Sequence, residues 1–382
     1  MERGALRQKL IITNGEYGEF DQWLCGEGGF LREGGGATLL VCGKSFRSLP
    51  VCRYFEGLGR RPGVKLVMFD GFEPNPLYGS VVKGAKVFHS NGCRSIIAVG
   101  GGSAIDVAKC IKLYVEGNLA DKGGDPAAVP GPVKLAAIPT TAGSGSEATR
   151  FAVVYRDGEK QSVMDDGCVP SLVLLDGSAL KTLPEYQRKA TMLDALCHGV
   201  ESFWSVNSTK ESREYSRKAI RTVMENREGY LANQEEGNAN MLLGAHWAGK
   251  AIHIAQTTAG HAMSYKLTGL YGIAHGHGAA LCVSRIWPYM LSHREKWADP
   301  RGEGHLDSVF EEIASAMGCT GGLEGAALFG EILRDLCLGA PVPKEGDFGL
   351  LKKSVNPVRL KNSPVELDEE VFDSLYRQML AH

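Results

Sequence analysis

The chain has 382 residues, 43% of them hydrophobic and 23% charged, and its 42 basic and 44 acidic side chains leave a formal net charge of -2. That balance supplies no basic field for nucleic acid, and no run of five or more like charges reads as an interaction tail. Length and apolar content suit two domains or one large α/β unit with a sizeable core.

The amino terminus, "MERGALRQKLIITNGEYGEF", lacks the apolar stretch of a signal peptide, and no later segment is a long uninterrupted apolar run. A cytoplasmic protein is therefore expected. Ten cysteines are scattered without paired spacing, the pattern of reduced, mostly buried thiols rather than a disulfide framework or a cysteine-rich zinc site. "GEGGFLREGGGA" at 26–37 reads as a glycine-rich surface loop. Short, nearly continuous apolar runs follow, "ATLLVC" at 37–42, "VKLVMF" at 64–69, "SIIAVG" at 95–100, "KLAAIP" at 134–139 and "SLVLLD" at 171–176, separated by helix-length segments. They predict a parallel sheet covered on both faces.

Two turns stand out. Gly100, Gly101, Gly102 and Ser103 link a strand to an amphipathic helix predicted to begin near Ala104. Such a turn either lets a phosphate approach the free amides of the helix, or is a tight connection with Ser103 as N-cap. The second turn, "PTTAGSGSE", places Thr140, Thr141, Ser144 and Ser146 among glycines directly after a buried strand. Small hydroxyl residues there can bond a pyrophosphate or ribose, and two such turns in one sheet point to a dinucleotide.

Beyond "SLVLLD" the pattern becomes helical, with a boundary near "TLPEYQ", where Pro184 opens the first helix of an all-α second domain. In "MLDALCHGVESFW", Asp194 and His198 fall one turn apart on one helical face, as an internal hydrogen bond or as half of a metal site. His261 and His275 follow fourteen residues apart, with His277 just beyond. One carboxylate and three imidazoles make a shell suited to Fe²⁺ or Zn²⁺ rather than Mg²⁺. His246 and His253 lack a motif and are read as structural.

Taken jointly, the glycine-glycine-glycine-serine turn, "PTTAGSGSE", the Asp194/His198 pair and the downstream His261 and His275 resemble the iron-containing (group III) alcohol dehydrogenase family over nearly the whole chain. The resemblance implies a dehydroquinate synthase-like α/β fold: a Rossmann-like parallel-sheet domain over 1–183 that binds the dinucleotide, then an all-helical metal-binding domain over 184–382. It implies Asp194, His198, His261 and His275 as ligands of Fe²⁺, with Zn²⁺ able to take the site. A nicotinamide cofactor would be bound by Gly43, Lys44, Ser45, Asn75, the Gly100–Ser103 turn, Thr140, Thr141, Ser144, Ser146 and Lys160. Gly43 stands where members preferring NAD(H) commonly carry an aspartate, so NADP(H) is expected to serve at least as well, with Lys44 and Ser45 near a 2′-phosphate. The implied reaction is hydride transfer between nicotinamide and a small aldehyde or alcohol. Where many members carry a second histidine four residues after the first downstream ligand, this chain has Tyr265; the proton route is then Tyr265, His277 or solvent.

Within the family, "MLDALCHGVESFWSVNSTKES", "AGHAMSYKLTGLYGIAHGHGAA" and "SVNPVRLKNSPVELDEE" look most like phosphonoacetaldehyde reductases, which make 2-hydroxyethylphosphonate. A phosphonate dianion needs fixed cations; Arg359 is the first candidate, then Lys361 and Lys266. The alternatives are a general short-chain aliphatic alcohol dehydrogenase and, more remotely, a dehydroquinate synthase-like lyase. The partners expected are a small aldehyde or alcohol, neither nucleic acid nor membrane, with a homodimer as the candidate assembly.

Overall fold

A computed structural model describes residues 8–27, 29–31, 36–119, 128–129, 131–156, 159–355 and 357–380, the side chains of 159 and 160 excepted. The chain forms two compact units: one comprises residues up to Thr141, Gly145–Leu183 and Ala232–Leu242, the other Ala142–Ser144, Pro184–Leu231 and residues from Leu243 onward.

The first unit is built on a six-stranded, wholly parallel sheet. Its strands are β1 (Lys9–Thr13), β2 (Ala37–Cys42), β3 (Leu66–Phe69), β4 (Cys93–Gly100), β5 (Lys134–Pro139) and, after a hairpin of β6 (Phe151–Arg156) and β7 (Glu159–Met164), β8 (Leu172–Asp176). The order across the sheet is β1-β8-β5-β4-β2-β3. Alternate residues feed opposite faces. Leu39, Val41, Ile96, Ala98, Leu135 and Ala137 pack under α3 (Tyr78–Ser90) and α4 (Gly102–Val115). Leu40, Cys42, Ile97, Val99, Ala136 and Ile138 pack under α1 (Gly18–Cys25) and α2 (Pro50–Gly59). Both faces are therefore dry, which is why the strands read as continuous apolar runs.

After β3 the chain crosses back, so β4 pairs with β2 on the side away from β3. The connections out of β2 and β4 thus lead to helices on opposite faces, so the carboxyl ends of these strands mark a topological switch point, the place where open α/β sheets generally take ligands.

The second unit is helical. α5 (Glu185–Trp204), with Pro184 as its N-cap, is hidden along most of its length from Ala190 to Trp204. α6 (Lys210–Leu231), α8 (Ala259–Tyr271), α9 (His275–Ser292), α10 (Glu303–Met317) and α11 (Gly322–Asp335) follow, α7 (Glu235–Ala255) beginning within the first unit's residues. Short α12 (Asp347–Lys353) and α13 (Pro357–Leu360) and a final α14 (Glu369–Leu380) complete it. Trp204 of α5 meets Trp287 of α9 edge-on and Phe310 of α10, forming the aromatic heart of this unit. A helix buried on all sides over most of its length is a central one, and α5 is that helix.

Three local details differ from the expectation. α4 starts at Gly102, two residues before Ala104, with Gly101 as N-cap and Ser103 inside the first turn, so Ser103 does not cap it. β1 and the β6–β7 hairpin were not among the expected strands. The expected loop at 26–37 lies partly outside the described residues. The ten cysteines are free thiols. No helix among the described residues is long and apolar enough to cross a membrane.

Candidate active site

In the second unit, α5 carries Asp194, His198 and Glu201 at positions i, i+4 and i+7 of one stripe. All three are buried. His198 Nε2 lies 4.0 Å from Asp194 Oδ1, too far for the internal hydrogen bond that was one reading of the pair. Its Nδ1 instead sits 3.3 Å from the carbonyl oxygen of Gly143. His261, in the first turn of α8, brings Nε2 to 3.6 Å from Asp194 Oδ1, and its ring stacks on that of His198 with centroids 4.5 Å apart. His275 opens α9 and lies edge-on to His261 at 5.2 Å. Asp194, His261 and His275 each present a ligand atom within 4.8 Å of the others, and His198 flanks the set.

Two atoms here, Asp194 Oδ1 and His261 Nε2, are buried and have no hydrogen-bond partner. Buried polar atoms are rarely left unpaired, because desolvation then goes uncompensated. One carboxylate oxygen and converging imidazole nitrogens are the donor set of a borderline divalent cation, so these residues fit such an ion. The electrostatics agree. Burial pushes the Asp194 carboxyl up, but His198, His261 and His275 outweigh it and hold the group well below the usual carboxylate range. Burial lowers His198, only partly opposed by Asp194. Burial also lowers His261, but Glu201 and Asp194 outweigh it and lift this imidazole to about 9.

Glu201 is the residue that sequence reading missed here. Its Oε1 accepts from the Thr258 backbone N–H at 3.1 Å, the Thr258 hydroxyl at 2.7 Å and the His261 N–H at 3.3 Å, and its Oε2 pairs with His261 Nδ1. The signal was its place one turn beyond His198 on the same face.

Tyr265 sits beside this cluster, its ring stacked on that of His275 with centroids 5.6 Å apart. Burial raises its phenol, opposed by the charge of Arg359 and a hydrogen bond with Thr257. Arg359, on α13, donates from Nη1 to Gln256 Oε1 at 2.9 Å. Lys361 and Lys266 are exposed. His277 is not brought to the cluster. Two residues beyond His275 on α9, it faces the other side of the helix and contacts the Tyr186 hydroxyl through Nδ1 at 3.2 Å.

In the first unit the glycine turn and the start of the threonine turn are neighbours, because β4 and β5 are paired. The Thr140 N–H donates to the Gly100 carbonyl at 3.1 Å, and a β-carbon on Gly101 would stand 3.2 Å from Thr141 Oγ1. Gly100 permits the sharp entry into α4, since a β-carbon there would lie 2.5 Å from that of Ala104. Gly43 begins the turn after β2, followed by exposed Lys44 and Ser45; Lys44 pairs with Glu73 at 2.7 Å. Asn75 is exposed, with φ +56°. Ser144 belongs to the segment counted with the second unit. Lys160 lies in β7, and its side chain is outside the described residues.

Two more residues escaped the sequence reading. The ammonium of Lys109, wholly buried on α4, donates to the carbonyls of Ser146, Thr149 and Phe151 at 2.6–2.8 Å. Asp106, one turn earlier, accepts from the Ser146 hydroxyl at 2.6 Å and the Val153 N–H at 3.1 Å. The helix that starts at the glycine turn therefore also pins the far end of the "PTTAGSGSE" loop.

Comparison with known proteins agrees with this picture. Residues 28–177 match the model of the iron-containing alcohol dehydrogenase family, and residues 189–337 that of the carboxy-terminal region of the Fe-containing alcohol dehydrogenases. The chain is 35% identical to a phosphonoacetaldehyde reductase of Streptomyces viridochromogenes over 238 residues, 59% of this chain and 60% of that protein. It is 32% identical to alcohol dehydrogenase 4 of Schizosaccharomyces pombe over 300 residues, 76% of this chain and 68% of that one. Among solved structures, the iron-containing alcohol dehydrogenase of Thermococcus thioreducens shares the fold, with a TM-score of 0.84 at 21% identity over 98% of both chains. The chain belongs to the iron-containing alcohol dehydrogenase family and is an oxidoreductase of that type.

Proposed function

We propose that the protein reduces a small aldehyde to its primary alcohol with NAD(P)H, and that phosphonoacetaldehyde, giving 2-hydroxyethylphosphonate, is its substrate. The observation that carries the reaction is the Asp194–His261–His275 cluster, its aspartate and first histidine buried with an unpaired oxygen and nitrogen, flanked by Tyr265. Asp194, His198, His261 and His275 would hold a divalent ion, Fe²⁺ in the cell and Zn²⁺ where zinc is more available. When bound, the ion supplies Lewis acidity toward a carbonyl oxygen and the nicotinamide supplies the hydride.

The chain's own residues do the rest. Tyr265, its phenol kept protonated by burial, donates the proton that completes the alcohol and recovers it from solvent. Aldehyde, NAD(P)H and one proton thus give alcohol and NAD(P)⁺. His277, turned toward Tyr186, takes no part. Arg359, close enough to Tyr265 to act on its phenol, offers a planar fork to two phosphonate oxygens, with Lys361 and Lys266 as outer charges. The domain over 1–183 binds the dinucleotide through the Gly43, Gly100–Ser103 and Thr140–Ser146 turns. Gly43 leaves NADPH unopposed by a carboxylate.

The likeness to the Streptomyces reductase supports the substrate; the likeness to the yeast alcohol dehydrogenase supports the second reading, a short-chain aliphatic alcohol dehydrogenase. Specificity constants of the metal-loaded enzyme for phosphonoacetaldehyde and butanal decide between them. Greater efficiency with butanal would refute the phosphonate reading. Failure to oxidise NAD(P)H with any aldehyde would refute the reaction itself.

A further inference from the structure

We propose that Glu201 is a positioning residue for the metal centre: through Oε2 it keeps a proton of His261 on Nδ1, so that Nε2, which faces Asp194, is the nitrogen that gives up its proton to ligate, and through Oε1 it starts α8. This rests on the reading of Asp194, His198, His261 and His275 as metal ligands.

An imidazole can ligate through Nε2 only when that nitrogen carries no proton, and the partner of the other nitrogen decides which tautomer is present. His198 is held by a backbone carbonyl, the Gly143 oxygen. His261 is held by a side chain, and a carboxylate offers acceptors only, so the shared proton belongs to Nδ1. Glu201 is itself immobilised. It has no measurable exposure, and its other oxygen collects the Thr258 N–H, the Thr258 hydroxyl and the His261 N–H, the free donors at the head of α8. Thr258 stands at the N-cap position but makes no side-chain cap of its own, so the cap comes from α5. Gly260 lets the turn close over the carboxylate, since a β-carbon there would lie 3.0 Å from Glu201 Oε1 and 2.7 Å from Val283. One buried carboxylate thereby sets the position of the ligand's helix and the tautomer of the ligand.

Glu201→Gln keeps the size and one acceptor. If the amide oxygen retains the Thr258 donors, its NH₂ faces His261 Nδ1, forcing that nitrogen to accept and moving the proton to Nε2. Competition against a chelator should then show Zn²⁺ held about 10–100-fold more weakly than by the wild type. Thr258→Val, which removes a donor to Oε1 but leaves the Oε2–His261 pair, should lower the melting temperature while keeping zinc affinity within about twofold. Should Glu201→Gln fail to fold, the wild type answers directly. In zinc-loaded protein labelled with ¹⁵N-histidine, the resonance lost in His261→Gln should report a proton on Nδ1 and none on Nε2. Undiminished zinc affinity in a folded Glu201→Gln, equal zinc loss in Thr258→Val, or a proton on His261 Nε2 would overturn the inference. Wild-type protein that takes up no zinc would overturn the ligand reading, and this inference with it.

Discussion

Gly276 lies so close to Asp194 that a β-carbon on it would stand 2.6 Å from the Asp194 Cβ and 2.0 Å from the carbonyl oxygen of Ala190. The absent side chain lets the first turn of α9, with His275 at its head, press against α5 at the residue His275 must meet. Gly276→Ala should therefore destabilise the protein by about 1–3 kcal/mol or more and reduce bound metal. Gly269→Ala, on α8 where nothing lies within 4 Å, should be neutral or stabilising by up to about 1 kcal/mol. Thermal unfolding and elemental analysis of both variants give the comparison; an unaffected Gly276→Ala would show that the helices can part without cost.

Metal uptake should depend on pH through His261. Glu201 and Asp194 lift its pKa to about 9 in the metal-free protein, so near pH 7 the ring is a cation and must lose a proton to ligate. Affinity should rise about tenfold per pH unit on approaching 9 and level off above it, with about one proton released on loading at pH 7. The metal-free protein should behave oppositely. A folded pKa above the unfolded value of about 6.5 contributes stability that is complete below 6.5 and is lost as pH rises through about 9. Calorimetry in buffers of differing ionisation enthalpy, with melting curves from pH 6 to 10, checks both signs.

Gly43 has open space around it: a β-carbon there meets nothing within 4 Å, and its φ of -77° suits any residue. Gly43→Asp should fold normally and lower the NADPH to NADH ratio of specificity constants at least about tenfold, because the carboxylate repels a 2′-phosphate and accepts from a 2′-hydroxyl. An unchanged ratio would place cofactor choice elsewhere. The Lys44–Glu73 pair, exposed on both sides, opposes binding little, since such pairs contribute about 0–1 kcal/mol.

Much of this was legible in the sequence, and what was missed shares a physical reason. β2, β4, β5 and β8 are buried on both faces and announce themselves as apolar runs. β1 is a five-residue edge strand beginning with a lysine, and its register, Lys9 opposite Leu172, is set by a partner far along the chain. The β6–β7 hairpin includes the polar stretch "EKQSVM", which carries no strand signal. Asp194 and His198 were readable as neighbours because a helix period joins them; that His261 and His275 converge on them depends on how α8 and α9 pack. Glu201 and Lys109 were passed over because their partners are backbone groups, a threonine hydroxyl and a histidine distant in sequence.

Lys109→Met tests the second of these. The substitution keeps most of the apolar stem but leaves the Ser146, Thr149 and Phe151 carbonyls without their donor, at about 1–3 kcal/mol for each that water cannot reach. A fall in stability of about 3 kcal/mol or more is expected, together with weaker dinucleotide binding measured by quenching or calorimetry. A variant as stable as the wild type would mean that the loop repacks.

Arg359→Ala should depress the specificity constant for phosphonoacetaldehyde by about a hundredfold, roughly 3 kcal/mol, and that for propanal by less than about threefold, since only the anion loses its counter-charge. Equal losses would show that the residue supports the fold around Tyr265 and Gln256 rather than choosing the substrate.

Asp194 and Glu201 together bring two negative charges into the interior, and His198, His261 and His275 would be neutral as metal ligands. A divalent cation cancels this charge to zero. A trivalent one would leave a full positive charge stranded where the surroundings cannot screen it. With these residues as ligands, the arrangement would discriminate by oxidation state more sharply than by element: iron oxidised in place would be a poorer occupant than zinc. In air the protein should change its metal before it loses its fold.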